Sequence, residues 1–178
     1  MTLQLNELGR EKYGYFLIWG NGLAHKSEVI DLIKKEKRLE IVMIKEHEPK
    51  STKKLVKEIY SYDYAPFWHL KGKTNYLLNS PAKVLFIFFK NNKPEDNFFG
   101  KDKFRHIECE FIKKLKDKIR DKYNPKINGK RSEEHILHAS DNESQTNHAL
   151  KYLGYKKGLK HLRQKPNKLL KMPFYVPS

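Results

Sequence analysis

His138, Ser140 and Asp141 stand together in the stretch Glu134-His135-Ile136-Leu137-His138-Ala139-Ser140-Asp141-Asn142-Glu143. These residue types at this spacing outline a place for phosphoryl chemistry. A neutral imidazole serves as nucleophile or general base, a hydroxyl donates to an oxyanion, and a carboxylate orients an imidazole or helps to hold a metal ion. Ser140 and Glu143 have the spacing of a capping box, which predicts a helix beginning at this point. The free N–H groups and partial positive charge of that helix end would stabilise an anion beside His138. Lys126, Lys130 and Arg131 lie just upstream and could neutralise phosphate oxygens. His135, His138 and His148 do not form a helical i, i+4 pair, so no metal ligand set is expected among them.

The elements that must position these groups are legible from periodicity. Thr146, Ala149, Leu150 and Leu153 form the inner face of the helix after His138, and Gly154 ends it. Ile136 and Leu137 predict a short strand before it. Tyr15 to Trp19 reads as a buried strand closed by Gly20-Asn21-Gly22. A helix follows over Ser27 to Lys35 with Val29, Ile30 and Ile33 inward, then a strand in which Leu39, Ile41 and Met43 alternate. Pro49 and Ser51 mark a helix start, with Leu55, Val56, Ile59 and Tyr62 as its buried face. Residues 64–81 read as irregular or partly helical, and Val84 to Phe89 as a third buried strand. Asn91 to Lys101 is expected to be a loop. Phe104, Ile107, Phe111, Leu115, Ile119 and Tyr123 then predict one long amphipathic helix stopped by Asn124-Pro125, and 126–132 a polar loop.

These segments resemble the nucleoside diphosphate kinase fold in their order and motifs, loosely from Tyr15 to Tyr155. His138-Ala139-Ser140-Asp141-Asn142 is similar to the family's His-Gly-Ser-Asp-Ser, whose histidine accepts phosphate. Phe16-Leu17-Ile18-Trp19-Gly20-Asn21-Gly22 resembles the first strand and its Lys-Pro-Asp-Gly turn. Tyr60 and Pro66-Phe67-Trp68 resemble the nucleotide-binding tyrosine and a Pro-Phe-Phe whose first ring stacks on the base, and Asn79-Ser80-Pro81 resembles the Ser-Gly-Pro before the central strand. The resemblance implies an α+β, ferredoxin-like antiparallel sheet with helices on one face. It also implies a nucleoside triphosphate as substrate, and allows for Mg²⁺. It places phosphate acceptance on His138 and nucleotide contacts on Tyr60 and Phe67; together with the residue chemistry around them, catalysis is expected at His138, Ser140 and Asp141 and nucleotide or phosphate binding at Tyr60, Phe67, Lys126, Lys130, Arg131 and His135. Three positions depart from the pattern: Trp19 stands where a lysine touches phosphate, His135 replaces an asparagine, and Ala149 falls on the glutamate that orients the catalytic imidazole. A diverged phosphotransferase, or a nucleotide binder on the same scaffold, is the expectation.

Composition bounds the alternatives. The 178 residues suit one domain, expected over 1–155, followed by a basic C-terminal tail over 156–178. A formal charge of +16, from 37 Lys and Arg against 21 Asp and Glu, calls for polyanionic partners: nucleotides, another phosphorylated small molecule, or nucleic acid. Basic residues interleaved with aromatics between Tyr60 and Lys73 keep a single-strand nucleic-acid binder as the competing class. A transferase acting on a phosphorylated metabolite or sugar nucleotide is a third reading. The single Cys109 excludes an internal disulfide and any multi-cysteine zinc site. No apolar run reaches the ~20 residues of a membrane span, and no secretory leader is seen, so a cytoplasmic protein is expected, with self-association left open.

Overall fold

The computed structural model describes residues 10–62 and 67–164. Its centre is a four-stranded antiparallel sheet of β1 (Lys12–Ile18), β2 (Leu39–His47), β3 (Val84–Asn91) and β8 (Leu137–Ala139), in the order β2-β3-β1-β8. β1 is joined to β2 through a 3-10 turn (Gly20–His25) and α1 (Lys26–Lys35), and β3 lies between them, which is the ferredoxin-like arrangement. Between β2 and β3 stand α2 (Thr52–Ile59) and α3 (Phe67–Leu77); between β3 and β8 stand β4 (Asp96–Phe99), β5 (His106–Cys109), α4 (Glu110–Tyr123) and the hairpin β6 (Lys126–Ile127) with β7 (Lys130–Arg131). The chain continues through α5 (Glu143–Tyr152) and α6 (Leu159–Gln164).

The sheet is buried on both faces, which explains why β1 and β3 read as unbroken apolar runs. Phe16, Ile18, Leu85, Ile87 and Phe89 pack against α1 and α4. Tyr15, Leu17, Trp19, Phe86 and Phe88 pack against α2, α3, α5 and α6. The expected single layer of helices is therefore two layers. Leu162 of α6 is fully buried on the second face, so the basic segment that begins at Lys156 docks on the sheet. Residues 165–178, the rest of the expected tail, lie outside the described residues.

Four expectations are corrected. The alternation through Leu39, Ile41 and Met43 breaks at a bulge, because Ile41 pairs with Phe89 and Met43 with Phe88, which leaves Val42 as the extra residue and turns it to the second face. The loop over Asn91 to Lys101 contains β4, which pairs with β5, so Phe104 and Ile107 precede the long helix rather than begin it. Tyr62 lies beyond α2 and is exposed, its ring edge-on to His148. Ser140 does not cap α5: Asn142 does, its Oδ1 accepting from the Gln145 N–H at 3.0 Å. The reason is the end of the β1–β8 ladder. Past Ala139, the Ser140 Oγ accepts the Tyr15 N–H at 2.9 Å and Glu143 accepts the Tyr13 N–H at 3.1 Å, so both side chains carry on strand pairing.

Candidate nucleotide site

His138 pairs with Leu17 across β1 and β8, and strand alternation turns its ring to the second face of the sheet. The Tyr60 ring meets it edge-on at 4.8 Å between centroids, and Tyr15 lies at 6.0 Å. The side chain is 5% exposed, and Nε2 has no hydrogen-bond partner among the described residues. Burial, reinforced by the charges of Lys73, Lys116 and Arg120, holds its pKa well below the usual histidine value. The imidazole is therefore neutral at physiological pH, with a nitrogen lone pair available. Ala149, which the resemblance sets against an orienting glutamate, is a buried core residue. Trp19, which the resemblance sets against a phosphate-contacting lysine, is buried too, and its Nε1 has no hydrogen-bond partner among the described residues.

Two residues from the intervening elements shape this environment. Lys73 of α3 is buried, donates to the Tyr60 hydroxyl and lies 4.6 Å from the centre of that ring. Arg120 of α4 donates twice to the Leu137 carbonyl, at 3.1 and 2.8 Å, and so fixes the backbone just before His138. His135 is held by Asn124, whose Nδ2 lies 3.0 Å from its Nδ1; that nitrogen accepts, so Nε2 carries the proton toward Glu133 at 3.3 Å. Burial first, then Arg120, Lys73 and Arg131, push the His135 pKa down to about 3 despite the nearby carboxylate. Sequence reasoning missed Arg120 and Asn124, whose only signal was polar residues one turn apart at the end of an apolar helix pattern. Nothing in the sequence marked Lys73 as buried.

A cleft of about 670 Å³ opens between α3 and the β6–β7 hairpin, with Trp68, His69, Lys73 and Tyr76 on one wall and Ile127 and Arg131 on the other. The hairpin exists because Asn128 and Gly129 both adopt positive φ, the requirement of a two-residue turn. Trp68 is 70% and Ile127 65% exposed, an unusual cost unless the cleft receives an apolar face. Lys73 connects the cleft to Tyr60 and through it to His138. Lys130 and Arg131 line the cleft, with Arg131 also bound to Asp121 at 2.8 Å, whereas Lys126 is outside the lining.

The other expected residues are placed elsewhere. Ser140 has its hydroxyl committed to Tyr15 and Thr146, and Asp141 faces Gln145 and the β4–β5 side of the sheet. Phe67 opens α3, but Pro66 and the Phe67 side chain lie outside the described residues. His148 is bound to Glu58 at 2.8 Å.

No family model matches the chain, and no curated protein matches it. Among solved structures, it is similar to the nucleoside diphosphate kinase of Aquifex aeolicus, with a TM-score of 0.52 at 10% identity over 81% of this chain and 95% of that one. It is also similar to a transition state mimic of the nucleoside-diphosphate kinase from Borrelia burgdorferi with bound vanadate and ADP, at a TM-score of 0.48 and 18% identity over 79% of this chain and 85% of that one. The class is thus settled at the level of architecture: a ferredoxin-like α+β fold. Within that class, the chain has the fold of the nucleoside diphosphate kinases. None of the helices among the described residues is long and apolar enough to cross a membrane.

Proposed function

We propose that this protein binds a nucleoside triphosphate in the cleft between α3 and the β6–β7 hairpin, and that His138 receives its terminal phosphoryl group. The observation that carries the reading is the continuity from cleft to imidazole: Lys73 lines the cleft and donates to Tyr60, which packs on His138. The base would lie between Trp68 and Ile127, with phosphates toward Lys73, Lys130 and Arg131. The neutral imidazole would attack the γ-phosphorus, forming an N–P bond as the bond to the bridging oxygen breaks and the nucleoside diphosphate leaves with the electron pair. Lysine and arginine charges around the ring offset the anionic oxygens.

Where Mg²⁺ accompanies the nucleotide, Glu134 at the cleft supplies a carboxylate, while Glu143 is bound to Tyr13 and Arg163 and does not reach the cleft lining. Ser140 and Asp141 support the site through the backbone and turn around β8 rather than by contact with substrate. A cytoplasmic setting and a body over 1–155 extended by the basic C-terminal segment complete the proposal.

A second reading, a nucleotide binder without transfer, is favoured by the depth of His138 and by Ala149 in the place of the orienting glutamate. Incubation with γ-labelled ATP or GTP separates the two. Acid-labile, alkali-stable label on wild type that is absent from His138→Leu supports transfer. Saturable nucleotide binding without label leaves the binder, and neither binding nor label ends both readings.

A further inference from the structure

His106 and Glu108 lie two apart on β5 and so share one face of the strand, and the turn between β8 and α5 brings Asp141 to the same place. One ligand atom from each lies within 4.8 Å of the others. We infer that His106, Glu108 and Asp141 form a binding site for a divalent transition-metal ion such as Zn²⁺.

The ring orientation of His106 is the first argument. Its Nδ1 is 2.8 Å from the Phe104 carbonyl, which can only accept, so Nδ1 carries the proton. That leaves Nε2 turned toward a Glu108 carboxylate oxygen at 3.2 Å, with the Asp141 carboxylate in the same group. A proton on Nε2 bridges this contact when no ion is bound, and a metal ion would displace that proton and sit between the nitrogen and the two carboxylates. The second argument is that every ligand is held by an outer partner: His106 by Phe104, the far Glu108 oxygen by Lys116 at 3.6 Å, and Asp141 by Gln145 at 3.4 Å. Such outer contacts orient metal ligands and tune their basicity. Glu108 is also buried, which distinguishes the group from a solvated acidic patch.

One nitrogen and two carboxylates suit Zn²⁺ or Mn²⁺ better than Mg²⁺ or Ca²⁺, which favour all-oxygen shells. Ligand distances of about 2.0–2.2 Å would draw these atoms closer together than the 4.8 Å within which they now lie. An ion here ties the β4–β5 hairpin to the turn that follows His138. Gly100 makes the hairpin geometry possible: at φ +79 its absent Cβ would meet the Phe104 carbonyl oxygen at 2.4 Å and His106 Nδ1 at 3.4 Å.

The test is calorimetric titration of ZnCl₂ into the full-length, chelator-stripped protein, with Co²⁺ absorption as a second readout. One equivalent per chain is expected, insensitive to excess MgCl₂, weakened at least tenfold by Asp141→Asn and by His106→Ala, and unchanged by His148→Ala. Glu108→Gln replaces either variant that circular dichroism shows to be unfolded. The Co²⁺ ligand-field bands of the wild type should change or vanish in the same variants. Absence of saturable binding, or equal binding by wild type and all the site variants, overturns the inference and leaves a proton shared with His106.

Discussion

Tyr60 meets the His138 imidazole edge-on at 4.8 Å while Lys73 holds the Tyr60 hydroxyl. The aromatic ring thus sits between a buried cation and a buried neutral base. That contact stands between the cleft-lining Lys73 and a group that is itself hardly exposed, and it ties residues separated widely in sequence into one unit.

Among the described residues the His138 Nε2 has no hydrogen-bond partner, and a buried polar atom left unsatisfied costs about 1–3 kcal/mol. His138→Leu should therefore leave Tm unchanged or raise it by up to about 3 °C while abolishing phosphoryl label. Thermal denaturation followed by circular dichroism decides it, and a large drop in Tm would show that the imidazole has a structural partner.

Acid should weaken the fold well before its carboxylates titrate. His135 and His138 have folded pKa values below the ordinary histidine value of 6.5, so between the two values the unfolded chain binds more protons than the native one. The contribution of His135 is full above about pH 6.5 and is lost as pH falls toward about 3, and that of His138 is lost in the same direction. Urea midpoints at pH 7, 6 and 5 should fall steadily, and His135→Gln should flatten the dependence. Equal slopes for variant and wild type would contradict the proposed burial of the neutral ring.

Trp68 contributes little to the core because most of its surface is open. Trp68→Ala should keep stability within about 0.5 kcal/mol of wild type, yet weaken nucleotide binding about tenfold or more through lost stacking. Fluorescent-nucleotide titration measures the second quantity, and unchanged affinity would move the base out of this cleft.

Two glycines should respond in opposite directions. A Cβ on Gly20 would stand 1.8 Å from the Pro81 carbonyl oxygen, so Gly20→Ala must shift backbone and should cost about 3 kcal/mol or more. Gly72, in α3, has nothing within 4 Å of its Cβ position, and Gly72→Ala should stabilise by about 0.5–1 kcal/mol. Paired melts of the two variants test both the Gly20 contact and the helical assignment of α3.

Local pattern alone determined the core strands β1 and β3, the inward faces of α1, α2 and α5, and the stop of α4 at Asn124-Pro125, because alternation, helical period and Pro act within a few residues. It also singled out His138, since an imidazole just ahead of a helix start is a local arrangement. What it could not decide was which polar groups meet. Ser140 had the spacing of a cap, but the end of the β1–β8 ladder claimed its hydroxyl for Tyr15 and left the capping to Asn142. Lys73 looked like one of many solvated lysines until α3 packed it beside Tyr60, and His106 gained its carboxylate neighbours only when β5 closed against the turn after β8. Burial and charge pairing depend on distant segments converging, and that information exists only once the chain is folded.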